Sequence, residues 1–96
     1  MKQELAIQSL RPLFVSGGVS YAGVFGSFAR GEATESSDVD ILVRLDEPMS
    51  LFQLVRFERE LSEKIGRPVD LVTEDALNPL MWDEVLRDME TIYEKR

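Results

Sequence analysis

The chain has 96 residues, carries a formal net charge of −7 and contains neither cysteine nor histidine. Disulfide and thiolate chemistry are thereby excluded, and the commonest zinc ligand and general base is missing, so any chemistry rests on carboxylates, hydroxyls, arginine or lysine. The acidity argues against direct nucleic-acid binding, which needs lysine and arginine to neutralise phosphates, and instead suits solubility or attraction to a basic partner.

A hydrophobic content of 44% with 30% charged residues is that of a globular protein, and the length predicts one domain over residues 1–96 with one modest core. No apolar run approaches the length of a membrane-spanning helix and no signal-peptide pattern is present. These features predict a cytoplasmic protein with no membrane contact.

In chain order, Leu5, Ile7 and Leu10 have helix-like spacing over residues 2–10. Pro12 then either kinks this helix or opens a second short turn over 11–16. Gly17-Gly18 ends that segment. Residues 20–25 read as a first strand, 28–32 as a short helical turn, and 33–37 as a polar loop in which Glu32 nearby and Glu35 are surface charges. Residues 38–43 read as a second strand. The clearest helix covers 50–66: Ser50 and Gln53 form a capping-box pattern, Leu51, Leu54, Val55, Glu58, Leu61 and Ile65 recur with helical period and, all but Glu58 being apolar, predict one buried stripe, and Gly66 with Pro68 stops it. Residues 69–72 read as a third strand. The intervening helix predicts that it runs parallel to the second through a right-handed crossover. Asn78-Pro79 opens a last helix whose apolar side holds Leu80, Trp82, Val85, Leu86 and Met89. Leu80, Met81 and Trp82 are expected in the core; if exposed, they become a candidate protein interface. Tyr21 and Tyr93 read as packing residues, and 91–93 as a short final strand.

The chemistry concentrates in Gly26-Ser27, followed after ten residues by Asp38-Val39-Asp40. Residues two apart on a strand share a face, so Asp38 and Asp40 aim together while Val39 and Ile41 aim into the core. Two carboxylates side by side repel unless a cation lies between them. Mg²⁺ suits them, because it takes oxygen ligands and often binds through one or two carboxylates plus substrate phosphates. Gly26 lets backbone approach a phosphate closely, and Ser27 offers a hydroxyl and an N–H at what reads as a helix start. Asp70, early in the third strand, is a third acid that would project beside the other two if the strands are neighbours. Three such carboxylates make a two-metal site plausible, with ions about 3.5–4 Å apart. Arg30 could touch a triphosphate, or equally be solvated or paired with Glu32 or Asp38.

These residues resemble the nucleotidyltransferase superfamily that includes DNA polymerase beta, and within it the minimal nucleotidyltransferases, antitoxins paired with HEPN-type toxins. The likeness runs from Val24 through Gly26-Ser27-Phe28-Ala29-Arg30-Gly31 to Ser37-Asp38-Val39-Asp40-Ile41-Leu42-Val43 and resumes at Val69-Asp70-Leu71-Val72. The resemblance implies an α+β fold: a small mixed sheet of three to four strands with helices packed on one face. It implies that Asp38 and Asp40 carry both Mg²⁺ ions, with Asp70 ligating or deprotonating at the acceptor side, and that Gly26, Ser27 and Arg30 hold the nucleoside triphosphate. The expected activity is transfer of AMP from ATP to a hydroxyl. A chain this short leaves no room for an acceptor-gripping domain, so a partner protein is expected to supply the acceptor, by resemblance a tyrosine of a cognate HEPN ribonuclease toxin. A small-molecule nucleotidyltransferase of the antibiotic-modifying type, or an idle module that blocks a toxin by occlusion, are the alternatives. A homo- or hetero-oligomer fits any of them.

Overall fold

The structure, a computed structural model, describes residues 7–34 and 36–95. Most of the helix expected over residues 2–10, and Glu35, lie outside them. Its elements are α1 (Arg11–Ser16), β1 (Val19–Phe25), α2 (Gly26–Ala29), β2 (Val39–Leu45), α3 (Leu51–Ile65), β3 (Val69–Thr73), two 3₁₀ turns (Glu74–Ala76 and Pro79–Met81), α4 (Trp82–Asp88) and β4 (Glu90–Glu94). The four strands form one mixed sheet in the order β3-β2-β1-β4. The β2–β3 pair is parallel, as the intervening helix requires, and the other two pairs are antiparallel.

Pro12 does not kink a continuous helix. It lies in the first turn of α1, where its missing N–H is harmless, and a turn at Ser9-Leu10 precedes it. The ends of α3 follow from local chemistry. Gln53 N–H donates to Ser50 Oγ at 3.2 Å and Ser50 N–H donates to Gln53 Oε1 at 2.8 Å. Gly66 closes the helix in the left-handed conformation, with φ +71°, which a residue without a side chain adopts freely.

Alternation along the strands sends apolar side chains to both faces. Val24, Val39, Ile41, Val43 and Val69 meet Phe14 of α1 and Phe57 and Leu61 of α3 in the main core, together with Tyr93. The rings of Phe14 and Phe57 stand edge to face, 6.3 Å apart. On the opposite face Phe25 and Leu42 pack with Leu77 and Val85, backed by Val72, Trp82 and Met89. The helices therefore do not all lie on one face: α1 and α3 cover one, and α4 lies on the other. Two-sided burial of β1 and β2, visible in the run of buried residues from Ala22 to Phe25 and from Ile41 to Val43, requires that second layer.

Burial on α3 centres on Phe57 and Leu61. Leu51 and Val55 of the expected stripe are exposed, as are Leu80 and Met81. Only Trp82 of that C-terminal trio packs inward. Two side chains of α3 also seal the outer edge of β3. Val69 N–H donates to Ser62 Oγ at 2.9 Å and Leu71 N–H to Glu58 Oε2 at 2.8 Å, removing the unpaired donors that make an edge strand sticky.

Candidate active site at the Gly26 turn

At the C-terminal end of β1 the chain turns sharply into α2 through Gly26, whose φ of +75° favours glycine. Phe25 is the register partner of Asp40 on β2, so the turn is carried directly over the second strand. A β-carbon placed on residue 26 would collide with Asp40 Oδ2. The glycine thus makes room for a carboxylate of the protein itself, a role beyond the phosphate approach that the sequence suggests. Ser27 follows in α2, half-buried. The helical turn begins two residues earlier than periodicity predicts, because Gly26 O already accepts from Arg30 N–H at 3.1 Å.

Asp40 and Asp70 are directly paired across the parallel β2–β3 ladder. Both lie on the face opposite the main core, alternating with Val39, Ile41 and Val69, which point into it. Asp38 sits one residue before β2, which starts at Val39 because Val39 N–H donates to Pro68 O at 2.9 Å; it is exposed. The electrostatics register the closeness of the three acids. Partial burial pushes the Asp40 carboxyl above its usual range, the charges of Asp70 and Asp38 push it further, and Arg30 pulls it back. Crowded carboxylates resist joint ionisation unless a cation intervenes. Among the described residues no group of three acids converges closely enough to hold a metal ion by itself. An open arrangement of hard oxygen donors suits an ion that completes its shell with phosphate oxygens and water.

Arg30 does not pair with Asp38. Its Nε donates to Glu32 Oε1 and its Nη1 to Asp88 Oδ2, each at 2.6 Å. Asp88 is the last residue of α4, and no motif in the sequence marks it; only the packing of α4 on the carboxylate face brings it there. A cavity of about 580 Å³ lies at the other end of the sheet, where Gly17 and Gly18 precede β1 and Asp46 follows β2. It contains none of the motif residues.

Residues 8–96 match the Polymerase beta, Nucleotidyltransferase family. The chain belongs to that family. It is 44% identical over 77 residues to a Methanocaldococcus jannaschii protein named as a candidate protein adenylyltransferase, covering 80% of this chain and 83% of that one. It is 46% identical over 72 residues to the protein adenylyltransferase MntA of Thermococcus cleftensis, covering 75% and 73%. Its fold is shared by a toxin–antitoxin structure with AMP-PNP, with a TM-score of 0.80 at 19% identity, covering 97% of this chain and 74% of that one. The same holds for the MNT antitoxin complex with the tri-AMPylated HEPN toxin of Shewanella oneidensis, with a TM-score of 0.77 at 17% identity and coverage of 97% and 73%. The resemblance read from the two motifs and the α+β fold are both borne out. Among the described residues no helix is long and apolar enough to cross a membrane.

Proposed function

We propose that this protein is a Mg²⁺-dependent protein adenylyltransferase acting as an antitoxin, which transfers AMP from ATP to a hydroxyl, that of a tyrosine, on a cognate HEPN-type toxin. The observation that carries the catalytic half is the pairing of Asp40 with Asp70 beneath the Gly26 turn. The acceptor half is supported by the names of the relatives, at 44% and 46% identity.

Asp38, Asp40 and Asp70 would hold the metal, as two ions. Mg²⁺ bound there supplies charge neutralisation at the triphosphate and lowers the pKa of the acceptor hydroxyl. Gly26, Ser27 and Arg30 bind and orient the triphosphate: the turn offers backbone N–H groups, Ser27 a hydroxyl, and Arg30 the planar donors that match phosphate oxygens. Asp70 takes the acceptor side and receives the hydroxyl proton. The acceptor oxygen forms a bond to the α-phosphorus as the bond from that phosphorus to the bridging oxygen breaks. Pyrophosphate leaves with the electron pair.

The test is incubation of the protein with Mg²⁺, α-³²P-labelled ATP and its cognate toxin. Label on the toxin, lost in Asp40→Asn, is the expected result. Label on a small molecule would favour the antibiotic-type reading, and toxin inhibition without label would leave occlusion.

A further inference from the structure

Arg30 is held from two sides by carboxylates of different standing. Glu32 is two residues away, and its side chain is 64% exposed, so that contact is local and screened by solvent. Asp88 is 58 residues away, and its side chain is only 16% exposed. Its position is fixed by packing: Val85 of α4 is buried against Phe25 and Leu42, and Met89, the next residue, packs with the same cluster. Met89 also fills the space beside Gly23 that a β-carbon there would need. The helix carrying Asp88 is thereby locked to β1, the strand that leads into the Gly26 turn. Arg30, for its part, is tied to that turn by its own amide.

We infer that Asp88 is a positioning residue for nucleotide binding, holding the Arg30 guanidinium at the Gly26 turn so that its remaining donors meet the triphosphate. This rests on the proposed function. A guanidinium has five N–H donors; the contacts with Glu32 and Asp88 use two and leave three. An arginine held in place has already lost the rotamer freedom that a free one would lose on meeting phosphate, which is the general gain of preorganisation. An opposing effect exists, because the charge of Asp88 also offsets that of Arg30. If that effect dominated, Asp88 would be a latch that the nucleotide must displace.

Calorimetry with Mg²⁺ and α,β-methylene ATP, which cannot transfer AMP, separates the two. Asp88→Ala is expected to weaken binding about tenfold, and Asp88→Asn less, since the amide oxygen still accepts while the charge is gone. In an Arg30→Ala background, Asp88→Ala is expected to add nothing, an outcome that a general structural role would not produce. Melting curves accompany each variant, and Asp88→Asn serves if Asp88→Ala does not fold. Unchanged or tighter binding in the Asp88 variants, or a further loss in the double variant, overturns the positioning role. So does wild-type affinity in Arg30→Ala. If the wild-type protein binds no nucleotide at all, the proposed function itself fails, a result distinct from the others.

Discussion

The carboxylate of Asp40 occupies the space that a β-carbon on residue 26 would take. Gly26 also holds a φ of +75°. One position is therefore constrained twice, by its own backbone and by a side chain fourteen residues later in the sequence. The relationship turns the motif from two separate signals into one object: the turn and the acid are built to fit together.

Gly26→Ala is accordingly expected to do more than strain the backbone by about 1–3 kcal/mol. Its methyl group would push the Asp40 carboxylate aside, so nucleotide binding and Mg²⁺ dependence should fall together. Ser27→Ala, which keeps the backbone N–H, should lose less. Calorimetry of Mg²⁺–nucleotide binding checks the order, and equal affinity in Gly26→Ala and wild type would show that the turn does not serve the site.

Asp40→Asn should stabilise the metal-free protein at neutral pH. The folded-state pKa of Asp40 lies above its ordinary value through burial and the charges of Asp70 and Asp38. Ionised Asp40 therefore opposes folding. That penalty is absent below the ordinary carboxylate pKa, grows as pH rises through the raised folded pKa, and is fully present at pH 7. The variant should melt higher than wild type at pH 7 without divalent ions, and the difference should vanish in acid below the ordinary pKa. Added Mg²⁺ should raise the melting temperature of wild type more than that of the variant. Transfer by Asp40→Asn should drop on the order of a hundredfold or more. A wild-type transfer rate in this variant would sink the metal assignment.

Asp70→Asn is expected to bind Mg²⁺–nucleotide but to lose transfer, because Asp70 is assigned to the acceptor side. Co-expression with the cognate toxin, scored by growth and toxin mass, gives the cellular readout. Full protection by this variant with an unmodified toxin would replace transfer by occlusion as the mechanism.

Glu58→Ala should loosen β3 from outside the site. It leaves Leu71 N–H without its 2.8 Å acceptor, a loss of about 1–3 kcal/mol when the group is shielded from water. Glu58→Gln, which retains an acceptor oxygen, should recover most of the stability. Urea unfolding of the two variants makes the comparison, and equal midpoints would mean that this contact does not hold the edge. Because β3 carries Asp70, hydrogen exchange at residues 69–73 should rise in the alanine variant before global unfolding does.

Much was legible in the chain because its causes are local. Ser50 and Gln53 set the start of α3, Gly66 its end, and the alternation from Asp38 to Val43 separates the acids from the core-facing Val39 and Ile41. A turn, a cap and a two-residue period need only near neighbours, so Gly26, Asp38, Asp40 and Asp70 could be picked out before any fold was known. The periodicity of α3 was less informative. It does not say how far the helix reaches past the sheet: the period marks Leu51 and Val55 as buried, yet both are exposed and Phe57 takes the central place against Phe14.

What tertiary structure alone decided are the relations between distant segments. No pattern in the sequence says that α4 crosses to the face opposite α1 and α3, that Asp88 reaches Arg30, or that Asp40 fills the place of a missing β-carbon. Side-chain period fixes which way a residue points from its own strand or helix. Which partner it meets depends on how whole elements pack, and that packing is settled by burying both apolar faces of the sheet at once.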